Sequence, residues 1–242
     1  MFIRSDRSSF HYLIAVAVSL TCAAAIAIGL TIWWLRVDAI RDAFHDTDNL
    51  ATVLAEQTNR SVQSIDLMLN EVQGRMDLLG ARTKNDFNRL LGGKETYQML
   101  TERMAVLSYV SSIALVDKNG LLVNSTDQWP MPSLDISDRE HFQHLKNNDD
   151  QGLYITAPLV DRNKGLKTIY FAKRINDANN EFLGMVAIGV RLSYFQHIYE
   201  SINSLRNMAF LLLHKDGRSL YATPLPKIAP AIRCQRRLLG TD

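Results

Sequence analysis

The chain has 242 residues, 47% hydrophobic and 21% charged, which is enough to bury a core and too apolar for a disordered chain. Two cysteines cannot build a disulfide scaffold, and 12 glycines with 6 prolines exclude collagen-like sequence. The net charge of +2 comes from two short basic ends, Arg4, Arg7 and Arg36 and then Lys227, Arg233, Arg236 and Arg237, around a mildly acidic body, a distribution that speaks against a nucleic-acid partner.

Tyr12 to Leu35 carries no formal charge. As a helix it covers about 36 Å, against about 30 Å of bilayer hydrocarbon. Trp33 and Trp34 stand at its far end, where amphipathic rings favour the membrane interface. A cleaved signal peptide is the rival, since Ala23, Ala25 and Ala27 offer small residues. The apolar run continues past Ala27 to Leu35, longer than an ordinary signal core, and favours an uncleaved anchor. Residues 1–11 are then cytoplasmic, 12–35 transmembrane, and residue 37 onward exported.

Residues 36–79 predict one long stalk helix. Ile40, Phe44, Thr47, Ala51, Leu54, Thr58, Val62, Ile65, Leu69, Val72, Met76 and Leu79 recur at spacings of three and four. The half before Val62 is a weak seam and the half after it a strong one. Such a stripe packs on its own domain, pairs with a second copy as a homodimer, or does each along a different half. Residues 82–104 predict helix broken at Gly92-Gly93.

The period then changes. Ser112–Val116, Leu121–Val123, Leu153–Val160, Lys167–Ile175 and Leu183–Leu192 predict five strands, joined by turns at Asn119-Gly120, 161–165 and 176–180. A short helix is expected near Asp138–Lys146, with Ser137-Asp138 as its N-cap, and a closing helix over 193–207. Hairpin connections imply an antiparallel sheet and an α+β fold. Val116–Val123 recurs as Leu213–Leu220, each an apolar strand, a polar turn ending in Gly, and a second strand. The expected organisation is a module at 80–207, the start of an incomplete second module at 208–225, and a disordered basic tail at 226–242.

The order anchor, long helix, sheet, helix, second sheet resembles the double-Cache, or PDC-type, sensor regions of bacterial histidine kinases, diguanylate cyclases and chemoreceptors. The resemblance is sharpened by Leu134-Asp-Ile-Ser-Asp-Arg139-Glu-His-Phe142, by Gly152-Leu-Tyr-Ile-Thr-Ala-Pro158 and by the stretch from Phe182 to Phe195. It implies a PAS-like antiparallel five-stranded sheet, a periplasmic module on a single-pass inner-membrane anchor, and a small-molecule ligand between the sheet and its covering loop and helix. Amino-acid-binding members carry Tyr, Arg, Trp, Tyr and Asp along one short stretch. Leu134, Arg139, His141, Phe142 and His144 hold the corresponding places here. The later position that holds a carboxylate for the amine in such members falls near Gly189, or Arg191 if the strand shifts, and neither is acidic. An α-amino group then lacks its counter-charge, and an acidic or neutral metabolite held by Arg139 is expected instead.

The expected ligand-binding residues are Arg139, His141, Phe142, Tyr154 and Tyr170. The bland alternatives are Arg139 paired with Asp135 or Asp138, and aromatic rings that only pack. His141 and His144 lack a third ligand at metal-binding spacing, so neither metal nor cofactor is expected. No phosphate loop, nucleophile elbow or carboxylate pair marks an enzyme. The readings left open are a non-catalytic sensor input region, the front fragment of a diguanylate cyclase or histidine kinase, and a ligand-free coiled-coil anchor.

Overall fold

The computed structural model describes residues 7–80, 83–206, 211–213, 217 and 219–222. The chain divides into two units, Met1–Ser61 and Val62–Asp242. One helix, α1 (Arg7–Leu78), runs through 72 residues, a segment without proline. In the first unit its large apolar residues from Ile14 to Leu35 are 47–66% exposed. Its most apolar 18-residue window has a mean hydropathy of 2.2, and the helix is long and apolar enough to cross a membrane. Further along, Ile40 and Phe44 are also exposed.

In the second unit α1 buries Ile65, Leu69, Val72 and Met76, the strong half of the expected stripe. It ends at Gly80, whose φ of +75° stops the helix while its N–H donates to the Asp77 carbonyl. Helices α2 (Lys84–Leu91) and α3 (Lys94–Met104) meet at Gly92-Gly93 as expected. Asn124 holds that junction, its amide donating to the Leu91 and Gly93 carbonyls at 2.7 and 3.0 Å.

The strands are β1 (Val110–Asp117), β2 (Leu122–Ser125), β3 (Tyr154–Ile155), β4 (Leu159–Val160), β5 (Lys167–Asn176) and β6 (Phe182–Arg191). They form one antiparallel sheet in the order β2-β1-β6-β5-β3, with β4 also pairing with β5. The single expected strand at 153–160 is therefore two short ones. Pro158 has no N–H to give the ladder. The link is held instead by Thr156, whose N–H donates to the Tyr170 carbonyl while its hydroxyl accepts from the Tyr170 N–H. Helix α4 (Glu140–Asn147) covers one face of the sheet, with Phe142 and Leu145 packed on Val116, Ala172, Met185 and Ala187. On β5 the alternation sends Tyr170, Ala172 and Arg174 to that face and Lys173 to α1.

Helix α5 (Leu192–Arg206) follows β6 directly. Beyond it, β7 (Leu211–Leu213) and β8 (Ser219–Ala222) pair antiparallel. Gly217 has a φ of +84° and Gly120 a φ of +91°, so the two copies of the repeat share the left-handed glycine of their turns. The expected basic tail at 226–242 lies outside the described residues.

Candidate functional site

The site begins with three aspartate turns, each closed by main-chain N–H groups on one carboxylate oxygen. Asp117 Oδ1 accepts from Asn119 and Leu121, Asp161 Oδ1 from Asn163 and Lys164, and Asp177 Oδ1 from Asn179 and Glu181. The Asp117 turn brings in the covering loop. Gly120 accepts from the Ile136 N–H and Leu122 donates to the Leu134 carbonyl, both at 2.9 Å. A Cβ on Gly120 would lie 2.5 Å from Ser137 Cβ, so the loop can seat only against a glycine. Leu134 and Ile136 are thereby fixed as a roof over β1.

Beneath that roof is a cavity of about 50 Å³ that opens to solvent. Its apolar wall includes Ala114 and Val116 from β1, Ala187 from β6, and Leu134 and Ile136. Ala114 pairs with Ala187, and Ala187 with Ala172, a row of small residues across three strands that leaves the space. Gly189 lets the Tyr170 ring lie across β6, because a Cβ there would stand 2.6 Å from Ser112 Oγ and 3.2 Å from Tyr170 Cε1.

The polar wall is Arg139, His141, Tyr170, Asp127, Asp161 and Arg162, with Ser112, Ser125 and Asn163. Neither aspartate flanking Arg139 takes its guanidinium. Asp138 is held by Arg162 at 2.6 Å, a bond that keeps its carboxyl below the usual range. Asp135 accepts from the Ser137 N–H, which lowers it likewise. Arg139 instead donates from Nη2 to the Val160 carbonyl at 3.2 Å. The expected Ser137-Asp138 cap is also displaced, because Arg139 occupies the N-cap position and makes no side-chain cap bond.

His141 is buried, 4% exposed, its ring stacked 5.7 Å from that of Tyr170 at 8°. Burial first, and the Arg139 charge second, push its pKa down to about 4, so the imidazole is neutral at physiological pH. Its Nδ1 is buried without a protein partner. Tyr170 donates to Asp161 Oδ2 at 2.7 Å, and burial together with that bond pushes its pKa upward, keeping it a donor. Asp161 is 5% exposed and accepts three hydrogen bonds. Asp127 is paired with Lys164 at 2.6 Å.

The structure thus brings Arg139, His141 and Tyr170 to one cavity. Phe142 and Tyr154 do not line it. Phe142 is fully buried under α4, edge-on to Phe182 at 5.7 Å, because the helical turn that points His141 at the cavity turns the next residue into the core. Tyr154 packs on His144 at 4.5 Å, and its hydroxyl donates to Glu140. Asp127 and Asp161 also line the cavity, and both carboxylates are already engaged, Asp127 by Lys164 and Asp161 by three hydrogen bonds. Sequence reasoning took Asp161 only as a turn residue; its second oxygen reaches the cavity through the register of Tyr170, nine positions on.

No family model matches the sequence, and no curated protein matches it. Among solved structures, the extracellular domain of rpHK1S-Z16, assigned as a histidine kinase, is 26% identical with a TM-score of 0.50, over 72% of this chain and 73% of that one. The periplasmic sensory domain of the Campylobacter jejuni chemoreceptor Tlp1 is 14% identical with a TM-score of 0.50, over 69% of this chain and 68% of that one. The chain carries the fold of the extracytoplasmic sensory domains of membrane receptors, the Cache or PDC type.

Proposed function

We propose that this chain is the membrane-anchored, extracytoplasmic input region of a bacterial signalling receptor, without catalytic activity of its own. Its ligand is a small acidic or neutral metabolite bound in the cavity between β1, β6 and the loop leading into α4. The observation that carries this reading is Arg139. Its guanidinium lines the cavity wall and, among the described residues, hydrogen-bonds a main-chain carbonyl, leaving most of the fork for a carboxylate. Asp161 has accepted three bonds of about four it can take, so it favours a ligand that also offers a hydroxyl or other donor.

The exposed apolar segment of α1 from Ile14 to Leu35 supports a single-pass inner-membrane anchor with the sheet outside. The exposed Ile40 and Phe44 support pairing with a second copy along the weak half of the stripe. The likeness to the rpHK1S-Z16 domain favours a kinase as the output of the receptor. A thermal-shift screen of small carboxylates on the full chain in detergent tests the ligand reading. A ligand that raises the melting temperature of the wild type and not of Arg139→Ala supports it. Equal shifts in both proteins would remove Arg139 from the site.

A further inference from the structure

Two consecutive residues of β5 reach opposite sides of the sheet and tie down two different helices. Arg174 points to the α4 face. Its Nη1 donates to the carbonyls of Leu145, Lys146 and Asn148 at 2.8, 3.3 and 3.0 Å, and its Nε bonds Asn176. Leu145 and Lys146 belong to the last turn of α4, where carbonyls lack intrahelical donors. A cation there also meets the negative end of the helix dipole. The guanidinium lies 5.1 Å over the Phe182 ring, which in turn packs edge-on against Phe142 of α4. Arg174 therefore fixes the C-terminal end of the helix whose first turn holds His141 at the cavity.

Lys173 points the other way, to α1. It is 8% exposed, and its ammonium bonds Asp66 at 2.8 Å and Asn70 at 2.7 Å. Asn70 closes the group by donating to the second Asp66 oxygen at 3.3 Å. One helical turn further on, Gln73 donates to the main-chain carbonyl of Arg174 at 2.7 Å. Asp66, Asn70 and Gln73 follow one face of α1 at spacings of four and three, beside the apolar stripe of Ile65, Leu69, Val72 and Met76. A buried ammonium with two directed partners sets a register that apolar packing alone leaves open to sliding.

We propose that Lys173 and Arg174 form a coupling node that joins the helix over the cavity, α4, to the long helix α1. A shift of α4 on the cavity pulls on Arg174 and moves the β5 backbone at Arg174. The Gln73 bond and the Lys173 clamp carry that movement to α1. The coupling is reciprocal: loosening α1 at Asp66 loosens α4, and loosening α4 at Arg174 loosens α1. Its meaning for signalling rests on the cavity being the ligand site, but the coupling itself is a property of the ligand-free protein.

Hydrogen exchange read by mass spectrometry on the full chain in detergent, without ligand, tests it. Peptides over 62–78 and 140–148 report the two helices, and peptides over 84–91 and 110–125 serve as controls. Asp66→Asn leaves shape and removes one charge, and is expected to speed exchange in α4 as well as in α1. Arg174→Lys keeps the charge and loses the fork, and is expected to speed exchange in α1 as well as in α4. About tenfold is the size that loss of one charged hydrogen bond produces. The double variant should show less than the product of the single effects at both helices. Acceleration confined to the helix that bears the substituted contact would overturn the node, and so would equal acceleration in the control peptides, which marks general destabilisation. A metabolite screen that finds no ligand, beside coupled exchange, would refute the sensory reading and leave the node standing.

Discussion

His141 ties the site to pH with a sign and a size. Its imidazole is buried and neutral, with a pKa near 4 against 6.5 for an unperturbed histidine. Between those two values the unfolded chain binds the proton that the folded one refuses. Stability from this group is therefore complete above pH 6.5 and is lost as pH falls toward 4. The full loss is about 3 kcal/mol, and about 2 kcal/mol is gone by pH 5. His141→Phe keeps a ring beside Tyr170 and removes the titration. Thermal unfolding of both proteins, followed by near-ultraviolet circular dichroism at pH 7.5 and pH 5, isolates the effect, because the other acids and histidines are common to both. The wild type should lose about 4–8 °C more than the variant, at roughly 2–4 °C per kcal/mol for a domain of this size. Parallel losses would show that His141 is protonated in the folded protein, and the neutral-imidazole account of the cavity would fall with it.

The remaining predictions follow from geometry. For a carboxylate found by the thermal-shift screen, Arg139→Lys should weaken binding and Arg139→Ala should weaken it further, by about 1.5–3 kcal/mol in titration calorimetry; unchanged affinity for the alanine variant refutes the contact. Gly120→Ala should cost about 2 kcal/mol or more in denaturant unfolding, since it combines a left-handed φ with a Cβ driven onto Ser137. Gly165→Ala has a positive φ and open space, and should cost only about 1 kcal/mol; equal costs would show that the Ser137 contact relaxes freely. If the apolar segment of α1 is the proposed anchor, alkaline phosphatase fused after Asp242 should be active in cells; activity of a cytoplasm-only reporter at that point reverses the proposed topology.

Helices and strands were legible because their signals are local. The Gly92-Gly93 break, the change of period at Ser112 and the turn at Asn119-Gly120 each act within a few residues; the first and last lie where the elements change, and the second lies two residues inside β1. The split between β3 and β4 was equally local, since Pro158 cannot donate to the ladder, but an apolar run of eight residues masked it. Site residues were less legible. Arg139 reaches the cavity because Asp138 is taken by Arg162, which lies 24 positions on and belongs to another turn. Asp161 reaches it because Tyr170 sits opposite Gly189, and the register of two strands decides that. Neither partner can be named from spacing along the chain.

The row Ala114–Ala187–Ala172 shows why a cavity is harder to foresee than a core. In sequence all three are small apolar residues on alternating strand positions, and alternation marks each one as interior. In the fold the same row is filled at one end and hollow at the other. Ala172 lies under Phe142 and Leu145, where α4 supplies large side chains and the packing closes. Ala114 lies under the loop that precedes α4, and that loop is held off the sheet by main-chain bonds to Gly120 and Leu122. The boundary between core and cavity is thus the start of α4. His141, in its first turn, stands at that boundary and Phe142 just inside it. Adjacent residues of one helix are divided between cavity and hydrophobic core by a rotation of about 100°.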